Sequence, residues 1–398
     1  MGVYDVIDHE KHLSFLAKVS LVLFFFLAVV FWSPVFPGLF SIPTGYLYLP
    51  LMLLLCCALY LWKGMTSNEL FIFLILLLSV LVFSAITQST TNFNRFIFIP
   101  FCFYICVRLA RERKIIERFC DWLTVFCIVA IVLAWISFFY VLAGGEPQLE
   151  FPNPDSRPNR LYLTSLSNAV VGGVIRTAFI YDEPGAFSFV LVVAVIIREM
   201  LAKSRMISLL ILLGGLVTFS LIHVMVLAIY VFLVLSFKFK IISALALMIV
   251  VIATFGDPRF GFFYDRFDSD GDNAGLSNRT VQLENFYNVI ADDPEVFFLG
   301  DYNCHVREEK RCYEHGDISS SPVTPTYLGG IFLLIIQVLT HLALLSLMLK
   351  KRFFFPAVAM TLLLLQRPYF HLLGYQLLIF FPVFYMLYDA SFLKRRFS

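Results

Sequence analysis

ELFIFLILLLSVLVFSAIT, residues 69–87, is the stretch that decides the fold class. From Leu70 to Ile86 it carries no charge. A helix of about 20 apolar residues crosses the hydrocarbon layer of a bilayer with every backbone group bonded internally. Similar runs lie near 14–32, 45–62, 95–107, 119–143, 180–197, 206–221, 222–236, 241–255, 327–349, 353–366 and 373–389. Together they predict an all-α polytopic integral membrane protein of about 12 transmembrane helices. Composition agrees. The 398 residues are 60% hydrophobic and 15% charged, with a mean hydropathy of +0.84. A soluble domain is nearer a quarter charged.

Charge distribution sets an expected orientation. With the N-terminus in the cytoplasm, 19 of the 30 Lys and Arg residues fall on the cytoplasmic side. The short loops Arg108–Arg118 and Lys350–Arg352 are strongly basic, and short basic loops stay inside. Both termini are then cytoplasmic. The first apolar run follows Asp5, Asp8, Glu10 and Lys11 without a small-residue cleavage site, so it reads as an uncleaved span. The chain divides into N-terminal spans 1–143, a first outer loop 144–178, central spans 179–255, a second outer loop 256–325 and C-terminal spans 326–398. The two loops are of unequal size, and the second is a mostly polar island in an apolar chain.

The first outer segment is Pro-rich through Phe151–Pro158, too much so for a helix. It returns to the membrane as Arg176-Thr177-Ala178-Phe179-Ile180-Tyr181-Asp182-Glu183-Pro184-Gly185-Ala186-Phe187. Asp182 or Glu183 suits a helix N-cap, with Pro184 in the first turn. That accounts for a helix start. It leaves unexplained two carboxylates and Arg176 against an apolar run, where ionisable groups mark a site.

In the second segment Leu283, Phe286, Tyr287 and Ile290 follow helical spacing, which predicts an amphipathic helix capped by Ser277 or Asn278. Arg279 then sits in the first turn, where a cation opposes the helix dipole. With the free N–H groups of that turn it would cradle a phosphate; the plainer alternative is an exposed arginine on a solvated face. Cys304 and Cys312 lie eight apart in this island, beside His305 and His315. A disulfide and a zinc site are both open there, although the spacing fits no standard ligand pattern. The other six cysteines lie in or beside apolar runs and read as packing residues. Gln366-Arg367-Pro368 forms a short turn between two spans, where Arg367 is either a third anion contact or an interfacial anchor. His223, between two short spans, reads as a core histidine or as one that faces the site.

The Asp182-Glu183-Pro184-Gly185 run after Arg176 resembles the motif before a central span in Wzy-type O-antigen polymerases. Ser277-Asn278-Arg279, a short helix, a Pro and then Leu299-Gly300 resemble the second periplasmic loop of the same proteins. These belong to the O-antigen polymerase and ligase superfamily, which has a GT-C-like membrane fold. The ligase branch has a His-Asn pair before the span after the large loop; here that place reads Ser319-Ser320-Ser321-Pro322. The departure favours polymerase over ligase.

The resemblance implies metal-independent glycosyl transfer, without a cofactor, at the periplasmic face of the bacterial inner membrane. Donor and acceptor are glycans on undecaprenyl diphosphate, and a chain-length regulator is an expected partner. The diphosphate needs cations whose hold strengthens as charge develops: Arg279 and Arg176, with Arg266 behind them and Arg367 near the last spans. The acceptor hydroxyl needs a base: Glu183 first and Asp182 second, with burial expected to raise the carboxyl toward working pH. His305 and His315 are fallback bases. The rival reading is a sugar-lipid flippase, whose site would lie nearer the membrane midplane. No phosphate-binding glycine loop or dinucleotide fingerprint points to a nucleotide, and the net charge of +2 gives no reason to expect nucleic acid.

Overall fold

The structure is a computed structural model. It describes residues 14–35, 44–88, 90–151, 158–171, 174–238, 240–241, 248, 277–301, 318 and 322–396. Most of these are helical. Among the described residues, five helices are long and apolar enough to cross a membrane: Ser67–Thr87, Phe93–Ala110, Arg113–Leu142, Thr324–Met348 and Leu373–Ser391. The protein is therefore membrane-embedded. Shorter apolar helices accompany the five, and the expected count of twelve goes beyond what the described residues show. The predicted span 241–255 lies almost wholly outside the described residues.

In chain order, α1 is Phe15–Phe25, continued by a π-helical turn Phe26–Val30. Next come α2 (Thr44–Lys63), α3 (Ser67–Thr87), α4 (Thr90–Phe96), α5 (Phe98–Ala110) and α6 (Arg113–Leu142). Thr66 and Glu69 form a capping box on α3, satisfying two end amides reciprocally. Glu69 is 4% exposed and pairs with Arg108 and Arg111, at 3.3 and 2.6 Å.

The first loop, expected to be non-helical, is strand-forming. β1 (Leu149–Phe151), β2 (Asn159–Tyr162) and β3 (Ser165–Ser167) make a three-stranded antiparallel sheet. β4 (Val170–Val171) and β5 (Val174–Ile175) form a second small pair. Ser137 of α6 donates to the Tyr162 carbonyl and pins the larger sheet to the helix end.

The centre is α7 (Pro184–Met200), buried along nearly its whole length. A helix apolar on every side belongs in a core. Two shorter helices pack beside it. α8 (Arg205–Gly214) ends in a 3-10 turn Gly215–Thr218, and α9 (Leu221–Leu233) runs back from it. The chain reverses at Phe219, which is left-handed at φ +46. The readings 206–221 and 222–236 thus form a hairpin. At its base the Tyr230 hydroxyl donates to Glu199 and to the Arg205 carbonyl, at 2.9 and 3.1 Å.

The polar island contributes α10 (Ser277–Asp292) and α11 (Glu295–Leu299). α10 buries Phe286 and Val289 against Val296, Tyr327 and Leu328. Tyr287, expected on that face, is 69% exposed. The last spans are α12 (Thr324–Met348), α13 (Phe354–Gln366) and α14 (Leu373–Arg396).

Ion pairs and hydrogen bonds sort the bundle into two ends. Lys63–Glu112, Arg108 and Arg111 with Glu69, Lys203–Asp121 and Arg352–Asp389 gather at one, the basic end. The sheets, the head of α7 and the start of α12 lie at the other, the loop end.

α12 is broken near its start. Gly329 and Gly330 leave the helical region, Gly330 with φ +53 and ψ −147. A methyl on Gly330 would overlap the Phe298 carbonyl. One on Gly300, itself at φ +73, would lie 2.8 Å from the Gly329 and Gly330 amides. The backbone of α11 thus seats directly in the bend of α12.

Gly64 is also left-handed, at φ +69, but nothing lies within 4 Å of a methyl added there. Gly64→Ala should cost about 1–2 kcal/mol, the price of the left-handed backbone. Gly330→Ala adds a backbone overlap and should cost clearly more. Thermal unfolding of the detergent-solubilised protein ranks the two; an equal or reversed order would mean α11 does not seat in the bend.

Candidate functional site

The chain enters the head of α7 through Ile180-Tyr181-Asp182-Glu183. Contacts from α1 hold this segment. Ser33 donates to the Ile180 carbonyl, and the Tyr181 hydroxyl donates to the Val29 carbonyl at 2.8 Å. Val29 lies in the π-helical turn, where the wider winding changes the usual carbonyl pairing, and such turns often accompany functional sites. Tyr181 is fully buried, with its ring against Trp32 (4.7 Å between centroids) and Phe187 (6.2 Å).

Glu183 occupies the N-cap position of α7, and Pro184 its first turn, as expected. Its carboxylate does not cap the helix. It accepts a hydrogen bond from Arg367, 184 residues away, which lies directly after α13. Arg367 is 8% exposed. Burial is the largest influence and works against its charge, but the groups around it, the Glu183 carboxylate first, together hold the guanidinium well above its ordinary value. Nη1 also reaches the Tyr369 hydroxyl at 3.5 Å, and the guanidinium lies 5.5 Å from the Tyr369 ring centre, within the range of a cation–π contact.

The approach is close enough to fix the residue type at 185. A methyl on Gly185 would overlap the Arg367 guanidinium. Gly374 meets Trp32 in the same way, with an added methyl 2.5 Å from the indole Cδ1. Tyr375 completes the wall, its ring 4.7 Å from Trp32, 4.6 Å from Phe189 and 5.0 Å from Tyr369. Among the described residues, Arg367 Nε and the Gln366 and Gln376 side-chain oxygens are buried without a hydrogen-bond partner. The loop end therefore holds a charged pair, one further N–H donor and two amide acceptors inside an aromatic collar.

Beside a cation the ionised carboxylate is the favoured form. Glu183 thus presents its carboxylate to a fixed cation at the head of α7. Asp182 is half-buried in the same turn. Arg176 donates to the carbonyls of Thr218 (3.3 Å) and Phe219 (3.4 Å), so it also ties the loop to the tip of the α8–α9 hairpin. A cation suits the carbonyl end of a helical turn.

His223 proves to be a core histidine. Its Nε2 lies 2.8 Å from the Leu212 carbonyl, which can only accept, so that nitrogen donates. Nδ1 is then the acceptor for Ser188 at 3.2 Å. Arg279 is the third residue of α10. Arg266, Cys304, Cys312, His305 and His315 lie outside the described residues. The described cysteines are all free. The pairing of Arg367 with Glu183 was not readable from the sequence, and no motif announced Gln376.

No protein-family model, no curated protein and no solved structure matches the chain.

Removing one partner of a fully buried ion pair costs about 3–5 kcal/mol, and less is expected here because Glu183 is only half-buried. Glu183→Gln and Arg367→Gln should each lower the melting temperature of the detergent-solubilised protein substantially. The double variant should lose much less than the sum of the two. Strict additivity would show that the two side chains do not act on each other.

Proposed function

We propose that this chain is a metal-independent glycosyltransferase that polymerises oligosaccharide repeat units carried on undecaprenyl diphosphate. The arrangement we infer is a GT-C-like bundle of about twelve spans in the bacterial inner membrane. Both termini are cytoplasmic, and the loop end faces the periplasm. The collection of basic side chains at the opposite end of the bundle supports that orientation.

A hydroxyl of the acceptor repeat unit attacks the anomeric carbon of the donor glycan. The bond from that carbon to the diphosphate breaks, and its electron pair leaves with undecaprenyl diphosphate. The hydroxyl proton passes to a carboxylate, Glu183 first and Asp182 second. Arg279 and Arg367 hold the diphosphate, and both gain strength as negative charge grows on it. Arg176 and Arg266 add positive field. The observation that carries the reading is the Glu183–Arg367 pair at the head of α7, the arginine buried and the glutamate half-buried, because it sets a proton acceptor beside a cation able to bind an anion. The likeness of Arg176–Phe187 and Ser277–Gly300 to O-antigen polymerases supports the same chemistry.

A gel of surface glycolipid tests it. Cells lacking the protein, and cells carrying Arg279→Ala at normal protein level, should show core bearing a single repeat unit with no ladder above it. Arg279→Lys should rescue poorly, because lysine lacks the bidentate fork. Bare core with lipid-linked polymer accumulating outside would replace polymerase by ligase. Bare core with repeats trapped inside the cell would replace it by a flippase.

A further inference from the structure

A second charged group at the loop end plays no part in that scheme. Arg95 lies in α4, next to the residue that begins the packing of α5. Its neighbour Phe96 contacts Phe332 at 5.7 Å and Phe83 at 5.8 Å, and a methyl on Gly329 would come within 2.8 Å of the Phe96 ring. Arg95 is half-buried. Among the described residues its Nη1 is buried without a hydrogen-bond partner. A guanidinium presents five donors and never gives up its charge in ordinary conditions. A buried donor left without a partner costs free energy unless something binds it.

Asp301 lies at the same contact: Gly300, which precedes it, meets the Gly329 amide, and Gly329 in turn meets the ring of Phe96 beside Arg95. The position of Asp301 is fixed with unusual care. Its amide donates to the Tyr327 carbonyl at 2.7 Å, and the Tyr327 hydroxyl donates to its Oδ2 at 3.0 Å. The left-handed Gly300 precedes it, and the Gly329–Gly330 break receives the backbone just before it. Backbone distortions of this kind cluster at binding sites. A carboxylate offers about four acceptor positions, and Tyr327 takes one. Among the described residues, then, a guanidinium with one buried nitrogen unused and a carboxylate with acceptor positions to spare lie at the same α11–α12 contact. A ligand that fits both carries an anionic group and a hydroxyl.

We propose that Arg95, Asp301 and Tyr327 form a second lipid-phosphate subsite, in which Arg95 takes a phosphate and Asp301, oriented by Tyr327, accepts a hydrogen bond from a sugar hydroxyl. This rests on the polymerase reading for its biological meaning. That reaction brings together two lipid-linked glycans, each with its own diphosphate, and the Glu183–Arg367 pocket serves one of them. Arg95 serves the other. Asp301 is a binding residue here, and no step of bond-making is assigned to it.

Native mass spectrometry of the full-length protein in detergent, titrated with farnesyl diphosphate, counts the sites. The wild type should carry two molecules per chain and Arg95→Ala one, with an unchanged melting temperature. Arg95→Lys should restore part of the second equivalent. Asp301→Asn should keep both equivalents of farnesyl diphosphate, which has no sugar, yet shorten the glycolipid ladder in cells. Two equivalents on Arg95→Ala, or one on the wild type, overturns the subsite. Loss of the Arg95-dependent equivalent to competing phosphatidylglycerol makes Arg95 a contact for ordinary membrane lipid and likewise overturns it. If deleting the protein leaves the ladder intact while Arg95→Ala still drops one equivalent, the polymerase reading falls and the phosphate site stands.

Discussion

A full positive charge out of water governs the loop end of this protein. Arg367 is almost wholly buried, and moving a guanidinium from water costs several kcal/mol even after the protein relaxes. The surrounding residues answer that cost. Glu183 supplies the opposite charge, the Tyr369 ring a polarisable face, and Gly185 the absence of a side chain where the guanidinium passes. Because Glu183 is committed to Arg367, the head of α7 goes without a side-chain cap. Stability of one helix end is exchanged for a fixed charge in the pocket. Since Arg367 follows α13 and Glu183 precedes α7, the pair also locks two helices that are distant in sequence.

Sequence and structure agree best where one physical rule acts alone. The apolar run 69–87 became α3 within a few residues, because a long charge-free stretch has few alternatives in a bilayer. The start of α7 was legible for a related reason, since Pro184 is tolerated in a first turn and hardly anywhere later in a helix. Agreement weakens where long-range packing decides. Tyr287 has the right spacing for the buried face of α10, yet Gln282, Phe286 and Val289 occupy that face. Periodicity gives a stripe but not its centre. The strands of the first loop gave no clear alternation, being two to four residues long. The partner of Glu183 was out of reach for a different reason. Any of several arginines would have served equally well on paper, and only the packing of α7 against α13 selects Arg367.

Glycines at the loop end mark places where backbone or charge comes closer than a side chain permits. Gly185 admits a guanidinium, Gly374 an indole, Gly329 the ring of Phe96, and Gly330 another stretch of main chain. Each contact joins elements remote in sequence. The loop end is therefore stiffened by direct contact with backbone, while large aromatic rings fill what remains. Such rigidity suits a pocket that must keep its donors and acceptors in register without help from water.

The α8–α9 hairpin sets polar main chain at an unusual depth. Helices of ten and thirteen residues reach about 15–20 Å at 1.5 Å per residue, against a hydrocarbon layer about 30 Å thick. The turn at Phe219, with its polar backbone, thus stops well short of the far surface. Arg176 and Thr177 come down from the loop end to meet it. Polar main chain at that depth persists because it is enclosed by protein. The result is a stretch of polar main chain held inside the apolar bundle beside α7, its carbonyls answered by Arg176 and not left to lipid.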